Sequence, residues 1–488
     1  MSDRKIPILL TVLMAFFISL PIYANEDTSR NIWQEAQHHQ QENEKKLITP
    51  DPIFTENNAA LIVIDGKKFQ VENNLDNVSL ALFLAINHQQ WPDVRRFLTA
   101  YKKLSEHDVL LVNFAQGGLA RFDGNLDLAT YHYQQILSQQ PNFPRVQVEL
   151  ARVYFEDYKN REAERLFAEL SEKKQVPESV LKNINSYLEA IELRNSWRGS
   201  FSVGYAYNDN VNMSSNRNFA CLKINENQCI QQQIPKAVKA WGMSYDATLS
   251  RRHQLSGYHG IAIRGLIYGE NYRNYQDGNE NTFQLASGYS YKNRNHDISF
   301  SPLFEYKQSA GDRFYHATGI KTVWQWGITT QTTLDIEFEH KQLRHQHDYR
   351  RKDGGLTSSS FNLFHDIGKD FILLGGGDWT YRGNDQYPVD RYQQWEVRAG
   401  AKGQIYDGID GYLFATLRDR HFGAYSPMLN AKRHDTEQIY VAVIKAPAAE
   451  IMGMTPAITF RHRRNRSNVD WLYSYNKNEV LFRLEKFF

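Results

Sequence analysis

Cysteine is nearly absent from this chain: there are two in 488 residues, Cys221 and Cys229. Two cysteines cannot build the four-ligand zinc modules that rely on thiolates. Long apolar runs are missing as well. After Ala24 no stretch of about 18 apolar residues occurs, so no transmembrane helix is expected. An excess of one charge is also lacking, since 57 Lys and Arg face 55 Asp and Glu. That balance gives no reason to expect a nucleic acid partner. No Gly-rich loop with phosphate-cradling spacing is found, and no nucleotide cofactor is expected. Aromatics, in contrast, are abundant, with 28 Tyr and 27 Phe.

What is present falls into four regimes. Residues 1–24 read as a secretory signal: Arg4 and Lys5 are basic, Ile6 to Leu20 is apolar, and Pro21-Ile22-Tyr23-Ala24 leads to a cleavage site. No cysteine follows the apolar stretch, so the chain is not expected to be lipidated itself. In an exported chain Cys221 and Cys229 are expected to form a disulfide, closing a small polar loop worth about 2–3 kcal/mol in the chain-entropy model. Residues 25–76 form a polar lead ending in a small hairpin, Ala60 to Val71, that turns on Asp65-Gly66.

Residues 77–195 switch to helical periodicity. Helices are expected over 77–89, 92–104, 107–122, 125–139, 143–157, 160–172 and 177–193, with Pro92, Gly124, Pro141, Pro144 and Pro177 as punctuation. Gly117, Ala129 and Tyr133 recur as Ala151, Ala163 and Phe167, and Pro141 takes the proline position of the first unit. That shift of 34 residues is the tetratricopeptide period, in which small residues let paired helices approach closely. Such arrays bind partner proteins on a concave face, here expected near residues 110–190.

Residues 196–488 alternate with period two. Fourteen strands are expected: one from Trp197, then near 239–250, 256–269, 281–292, 296–307, 313–324, 330–341, 355–366, 370–381, 391–405, 409–418, 435–446, 454–463, and a last one over Glu479–Phe488. On that last strand Val480, Phe482, Leu484 and Phe488 share one face, while Glu479, Arg483 and Glu485 share the other. A half-apolar strand is an open edge unless something pairs with it, and the strand from Trp197 is the expected partner. Connections after odd strands are expected to be long (208–238, 270–280, 342–354, 382–390, 419–434) and those after even strands short, as in an outer-membrane barrel. Trp241, Tyr268, Tyr291, Trp324, Trp379, Trp395 and Tyr412 near strand ends are expected to be girdle residues. The fold class is therefore α + β in two domains, a tetratricopeptide-like array followed by a 14-stranded antiparallel transmembrane barrel.

Chemistry is sparse. His340, His345 and His347 cluster in what reads as a polar outer loop, where solvated histidines are expected rather than a metal site. Ser358, Ser359, Ser360 and His365 offer serine and histidine near one strand but no evident partner arrangement, and no catalytic residue is expected. Arg461, Arg463, Arg464 and Arg466 form a dense basic run at the expected outer end of the thirteenth strand. They are read either as contacts to lipopolysaccharide phosphates or as a solvated, salt-bridged rim.

The stretch Pro456-Ala457-Ile458-Thr459-Phe460, Arg461-His462, Arg466-Ser467-Asn468 and Tyr475-Asn476-Lys477-Asn478, with its spacing to Phe488, resembles the end of the surface lipoprotein assembly modulator family. Ile62-Val63-Ile64-Asp65-Gly66 resembles a feature near that family's amino end. The likeness covers about residues 60–488, and the loop with Cys221 and Cys229 has no counterpart in it. It implies an outer-membrane factor with a periplasmic helical domain that helps surface lipoproteins, or in some branches secreted haem-binding proteins, leave the cell. Expected partners are such a client, outer-membrane lipids and the barrel-assembly machinery, whose recognition signal the Phe488 strand fits. An exopolysaccharide exporter is the alternative, and a porin or barrel enzyme a further one.

Overall fold

A computed structural model describes residues 33, 34, 37, 61–64, 67–173, 176–225, 228–368, 371–384 and 386–488. The expected signal segment, most of the polar lead, and Asp65 and Gly66 lie outside the described residues. Strand β1 (Leu61–Ile64) pairs antiparallel with β2 (Lys67–Gln70), as the hairpin reading requires.

Among the described residues, seven helices stand between this hairpin and the first barrel strand: α1 (Leu75–Asn87), α2 (Trp91–Tyr101), α3 (Val109–Phe122), α4 (Leu126–Gln139), α5 (Pro144–Glu156), α6 (Asn160–Ser171) and α7 (Glu178–Asn195). Local chemistry sets their starts. Asn74, Asp108 and Asn125 accept from backbone N–H groups in the first turns of α1, α3 and α4 at 2.8, 2.8 and 3.1 Å. Pro92 and Pro144 sit in the first turns of α2 and α5, where no N–H is needed. The repeat positions are the packing positions. Ala129, Ala151, Ala163 and Phe167 have no exposure, and Tyr133 almost none. A methyl at Gly117 would lie 2.7 Å from the Tyr133 ring, so that aromatic occupies the space the missing side chain leaves.

The barrel strands are β3 (Arg198–Asn208), β6 (Ala240–Ser256), β7 (His259–Tyr272), β8 (Glu280–Lys292), β9 (His296–Ser309), β10 (Asp312–Gly327) and β11 (Thr332–His345). Then come β12 (Gly354–Ile367), β13 (Phe371–Arg382), β14 (Tyr392–Tyr406), β15 (Ile409–Ser426), β16 (Ala431–Lys445), β17 (Thr455–Ser467) and β18 (Tyr475–Phe487). They close in chain order, and β18 pairs with β3 from Glu479↔Asn208 to Phe487↔Ser200. Gly199 and Phe488 exchange backbone hydrogen bonds of 2.8 and 3.0 Å, so the seam is sealed to the last residue. The first outer connection carries the hairpin β4 (Phe219–Asn225) and β5 (Gln228–Gln233).

Three expectations need correction. The outer loop expected over 419–434 is mostly strand, and only residues 427–430 connect β15 to β16. Its polar residues point inward in alternation, where Arg420 reaches Gln394 and Arg433 reaches Asp435. The connection after β9 is a two-residue turn, Ala310-Gly311, with both φ angles positive (54° and 85°), as a tight hairpin demands. On the other end, the β16–β17 connection is long and carries a short 3-10 turn at Pro447–Ala449. Length therefore alternates only in part. Finally, Tyr268 lies buried on an inward row, and Tyr412 shares the inward row of Phe414 and Arg418, so neither belongs to a girdle. Trp241 and Trp395 face outward, and Trp379 stands on the outward row beside Trp395 at a ring distance of 6.4 Å.

Candidate functional site: the helical array on the barrel mouth

The array is joined to the barrel by a short link, Ser196-Trp197, and by a second, side-chain contact. The turn after β6, Gly257-Tyr258, is at the same barrel end as the start of β3. It inserts against the start of α6. The Glu162 carboxylate accepts from the Gly257 N–H and from Gln254 Nε2, both at 2.9 Å. In return the Gln254 side-chain Oε1 accepts from the Arg161 backbone N–H at 3.0 Å. Tyr258 donates to Asp157 at 2.6 Å, and Lys159 lies 2.9 Å from Asp157 and 4.4 Å over the Tyr258 ring. Burial and the hydrogen bond to the Asp157 carboxylate push the Tyr258 phenol up to about 12, so it remains a donor at any physiological pH. On the next turn, Lys292 sits 4.5 Å over the Tyr158 ring.

Beneath this joint is a cavity of about 260 Å³ between α7 and the barrel wall. Arg194, Arg198, Arg251, Arg252, Arg264, Lys292 and Arg294 line it, among the described residues Asp297 is the one carboxylate that does, and Trp33 and Gln37 reach it. Arg194 is fixed there by stacking 3.6 Å over Phe155 and donating to the Phe155 carbonyl at 2.7 Å. Arg252 donates to the Tyr258 carbonyl at 2.7 Å and Arg251 to the Asn195 carbonyl at 2.9 Å. The mouth is thus a rigid cationic collar. Deeper, Trp33, Gln34 and Gln37 line a smaller cavity with Lys321, Asp335 and Asn362, so these three residues lie inside the barrel.

The lumen wall is ionic. Lys341 bridges Glu305 and Glu339 at 3.0 and 2.9 Å, and Lys321 lies 2.7 Å from Glu337. Arg418 spans Glu396 and Glu437 on the neighbouring strands. Apart from the partly exposed Glu337 these groups are almost fully buried, yet each charge has an opposite partner, which is what a buried charge requires.

The basic run on β17 divides. Arg461 and Arg463 face inward, on Glu479 at 3.2 Å and Glu437 at 3.6 Å, while Arg464 and Arg466 are exposed on the outside. The strand continues to Ser467, and its period of two splits the cluster that sequence proximity suggested. Of the terminal strand, Phe482 and Phe488 are exposed outward, with Val480 and Leu484 on the same row. Cys221 and Cys229 sit on paired strands, opposite Gln231 and Lys223, so they are diagonal to one another. Their side chains lie outside the described residues.

The three histidines diverge. His340 is exposed and contacts Thr357 Oγ1 at 2.8 Å, whereas His345 is buried against Phe314 and Tyr315 and contacts Asp353 at 3.1 Å. The expected solvated loop is therefore a strand end capped by a short 3-10 turn, His347–Lys352. Ser358 and Ser360 face the lumen and His365 faces outward, which separates them as a dyad.

Exposed apolar side chains on the array are Leu80, Phe83, Val109, Phe122, Leu128 and Tyr131, on α1, α3 and α4 or at their edges. The surface expected near 110–190 is in part occupied, since residues 157–162 hold the barrel turn. Sequence reasoning missed this joint because Glu162 and Tyr258 are far apart in the chain and belong to no motif.

Residues 197–488 match the family model described as surface lipoprotein assembly modifier, and residues 64–167 match its N-terminal tetratricopeptide repeats. The hemophilin secretion modulator of Acinetobacter baumannii is 35% identical, over 95% of this chain and 96% of that protein. Surface lipoprotein assembly modifier 1 of Neisseria meningitidis is 24% identical, over 90% and 89%. Among solved structures, the outer membrane channel DcaP of Acinetobacter baumannii aligns with 60% of this chain and 96% of that one, at a TM-score of 0.35 and 8% identity.

Proposed function

We propose that this chain, which belongs to the surface lipoprotein assembly modifier family, receives a client protein in the periplasm on its helical array and promotes its passage to the cell surface or the medium. It is an outer-membrane protein, and in this reading the array, which sits at the barrel end where β3 begins, faces the periplasm. The observation that carries the reading is the joint of Glu162, Asp157 and Tyr258, which seats the array directly over the barrel mouth. A client held by the exposed apolar residues of α1, α3 and α4 is then delivered at the mouth, not tethered at a distance. No catalytic step is part of this proposal. The stronger likeness to a secretion modulator favours a secreted client of the hemophilin kind over a lipidated one.

Three narrower proposals accompany it. Arg464 and Arg466 contact lipopolysaccharide phosphates, Val480, Phe482, Leu484 and Phe488 present the strand that the barrel-assembly machinery recognises, and Cys221 and Cys229 form a disulfide. The main test is deletion of residues 77–193 with barrel insertion verified by heat-shifted gel mobility. Client surface protease accessibility and client in the medium should both fall to the level of cells lacking the protein. Undiminished export would remove the receptor role.

A further inference from the structure

At the outer end of β15 and β16, three donor side chains converge on the outward face. Asp419 and His421 lie two residues apart on β15, and His434 stands directly opposite His421 on β16. The two imidazoles stack with centroids 4.1 Å apart and planes 10° from parallel. Both Nε2 atoms aim at the same carboxylate, His421 at 2.7 Å from one oxygen of Asp419 and His434 at 2.6 Å from the other. Thr436 Oγ1 donates to the latter oxygen at 3.3 Å and fixes its orientation. The His434 backbone N–H is held in turn by Asn468 at 2.9 Å.

We propose that Asp419, His421 and His434 form a binding site for a divalent transition metal ion on the extracellular rim of the barrel. All the candidate donor atoms lie within 4.8 Å of one another. Two imidazoles and one carboxylate are the donor set of a borderline ion such as Zn²⁺ or Cu²⁺, not of Mg²⁺ or Ca²⁺. Around a tetrahedral Zn²⁺ the N···O separations would need to open by only about 0.7 Å. In the metal-free state each Nε2–H donates a hydrogen bond to the carboxylate. On binding, each ring carries its proton on Nδ1 instead, freeing the Nε2 lone pair for the ion. Three protein ligands leave a position for water or for a donor of a second molecule. An ordinary exposed ion pair gains little from such convergence, because solvent screens it. The level is also right. Asp419 is the eleventh residue of β15 counted from the periplasmic turn, and about 9–11 residues cross the hydrocarbon core.

The test is a Zn²⁺ titration of the full chain in detergent by calorimetry, with Cu²⁺ electron paramagnetic resonance as a second readout. The parent should bind Zn²⁺ at a site that His421→Ala and His434→Ala each weaken about tenfold or more, with Asp419→Asn weaker than the parent. Cu²⁺ spectra should show two equatorial nitrogens in the parent and one in either histidine variant. His462→Ala, which removes an outward histidine on β17 outside the cluster, should leave both readouts unchanged. Heat-shifted gel mobility confirms that each variant is a folded barrel. Titration curves for the two histidine variants that match the parent, or an equal loss in His462→Ala, would overturn the site.

Discussion

In the array, the fully buried large side chains are all apolar or aromatic, among them Phe167, Tyr133, Phe155 and Leu82; in the barrel, one of them is Lys307, and Glu305 and Arg418 are nearly as enclosed. Conversely, exposed phenylalanines are few in the array but line the outside of the barrel at Phe283, Phe300, Phe361, Phe460 and Phe482. The same physical rule produces both patterns. Water surrounds the array, so its helices hide apolar faces from it. Lipid surrounds the barrel, so its strands turn apolar rows outward and gather polar rows inside. A substitution should therefore have opposite consequences in the two regions, and the joint between them should be separable from both.

The sharpest break is expected from Phe167→Ala. Loss of this unexposed ring should cost about 3–5 kcal/mol of array stability. Thermal unfolding followed by helical circular dichroism should show an earlier transition, while heat-shifted gel mobility of the barrel stays unchanged. A coincident loss of both signals would mean that the regions fold as one unit.

Next come two substitutions on β15. Leu413 is exposed to lipid, and Leu413→Arg should cost about 2–4 kcal/mol of barrel stability. Arg418 on the opposite row is enclosed by Glu396 and Glu437, and Arg418→Leu should cost about 3 kcal/mol, because two buried carboxylates lose the cation they share and keep only the longer contacts to Arg398 and Arg463. Urea unfolding of the barrel in detergent micelles or vesicles measures both. If Arg418→Leu stabilised the barrel, the ionic lumen would not be a requirement of the fold.

A smaller effect belongs to the joint. Tyr258→Phe together with Glu162→Gln removes a charge-assisted hydrogen bond and weakens two more, at about 1–3 kcal/mol. Neither region should lose stability on its own. Limited proteolysis at the Ser196-Trp197 link should accelerate, and client export should fall with it. The smallest effect is a pH dependence in the outer connection around Lys352. Burial, with Arg351 and Arg382 nearby, lowers this ammonium to about 8 despite Asp390. The folded state then holds fewer protons than the unfolded one between about pH 8 and the ordinary lysine value, so stability there rises with pH. Amide exchange of residues 346–353, corrected for intrinsic rates, should slow from pH 7 to pH 10. Lys352→Met should flatten that dependence.

Much of the architecture was legible in the chain because its signals are local. The seven helices follow from apolar spacing and from prolines that stop or start a turn. The repeat follows from Gly117, Ala129 and Tyr133 recurring as Ala151, Ala163 and Phe167. The fourteen strands follow from alternation, and the β18 partner follows from the need to cover an edge. Loop lengths were less legible. A polar run such as 419–434 reads as a loop when its polar residues are in fact one face of a strand directed at a polar lumen. The arginines of β17 show the same ambiguity, because neighbours in sequence stand on opposite sides of the wall.

By itself, then, the sequence determined the two domains, their order, the strand count and the inside-out chemistry of the barrel, all of which depend on periodicities spanning a few residues. Only the tertiary structure decided which charges meet, that Tyr258 and Glu162 join the array to the barrel, and that Asp419, His421 and His434 converge. Those contacts depend on register and on the approach of segments distant in the chain. No short-range pattern encodes them, because each residue would fit its own strand or helix equally well without the other.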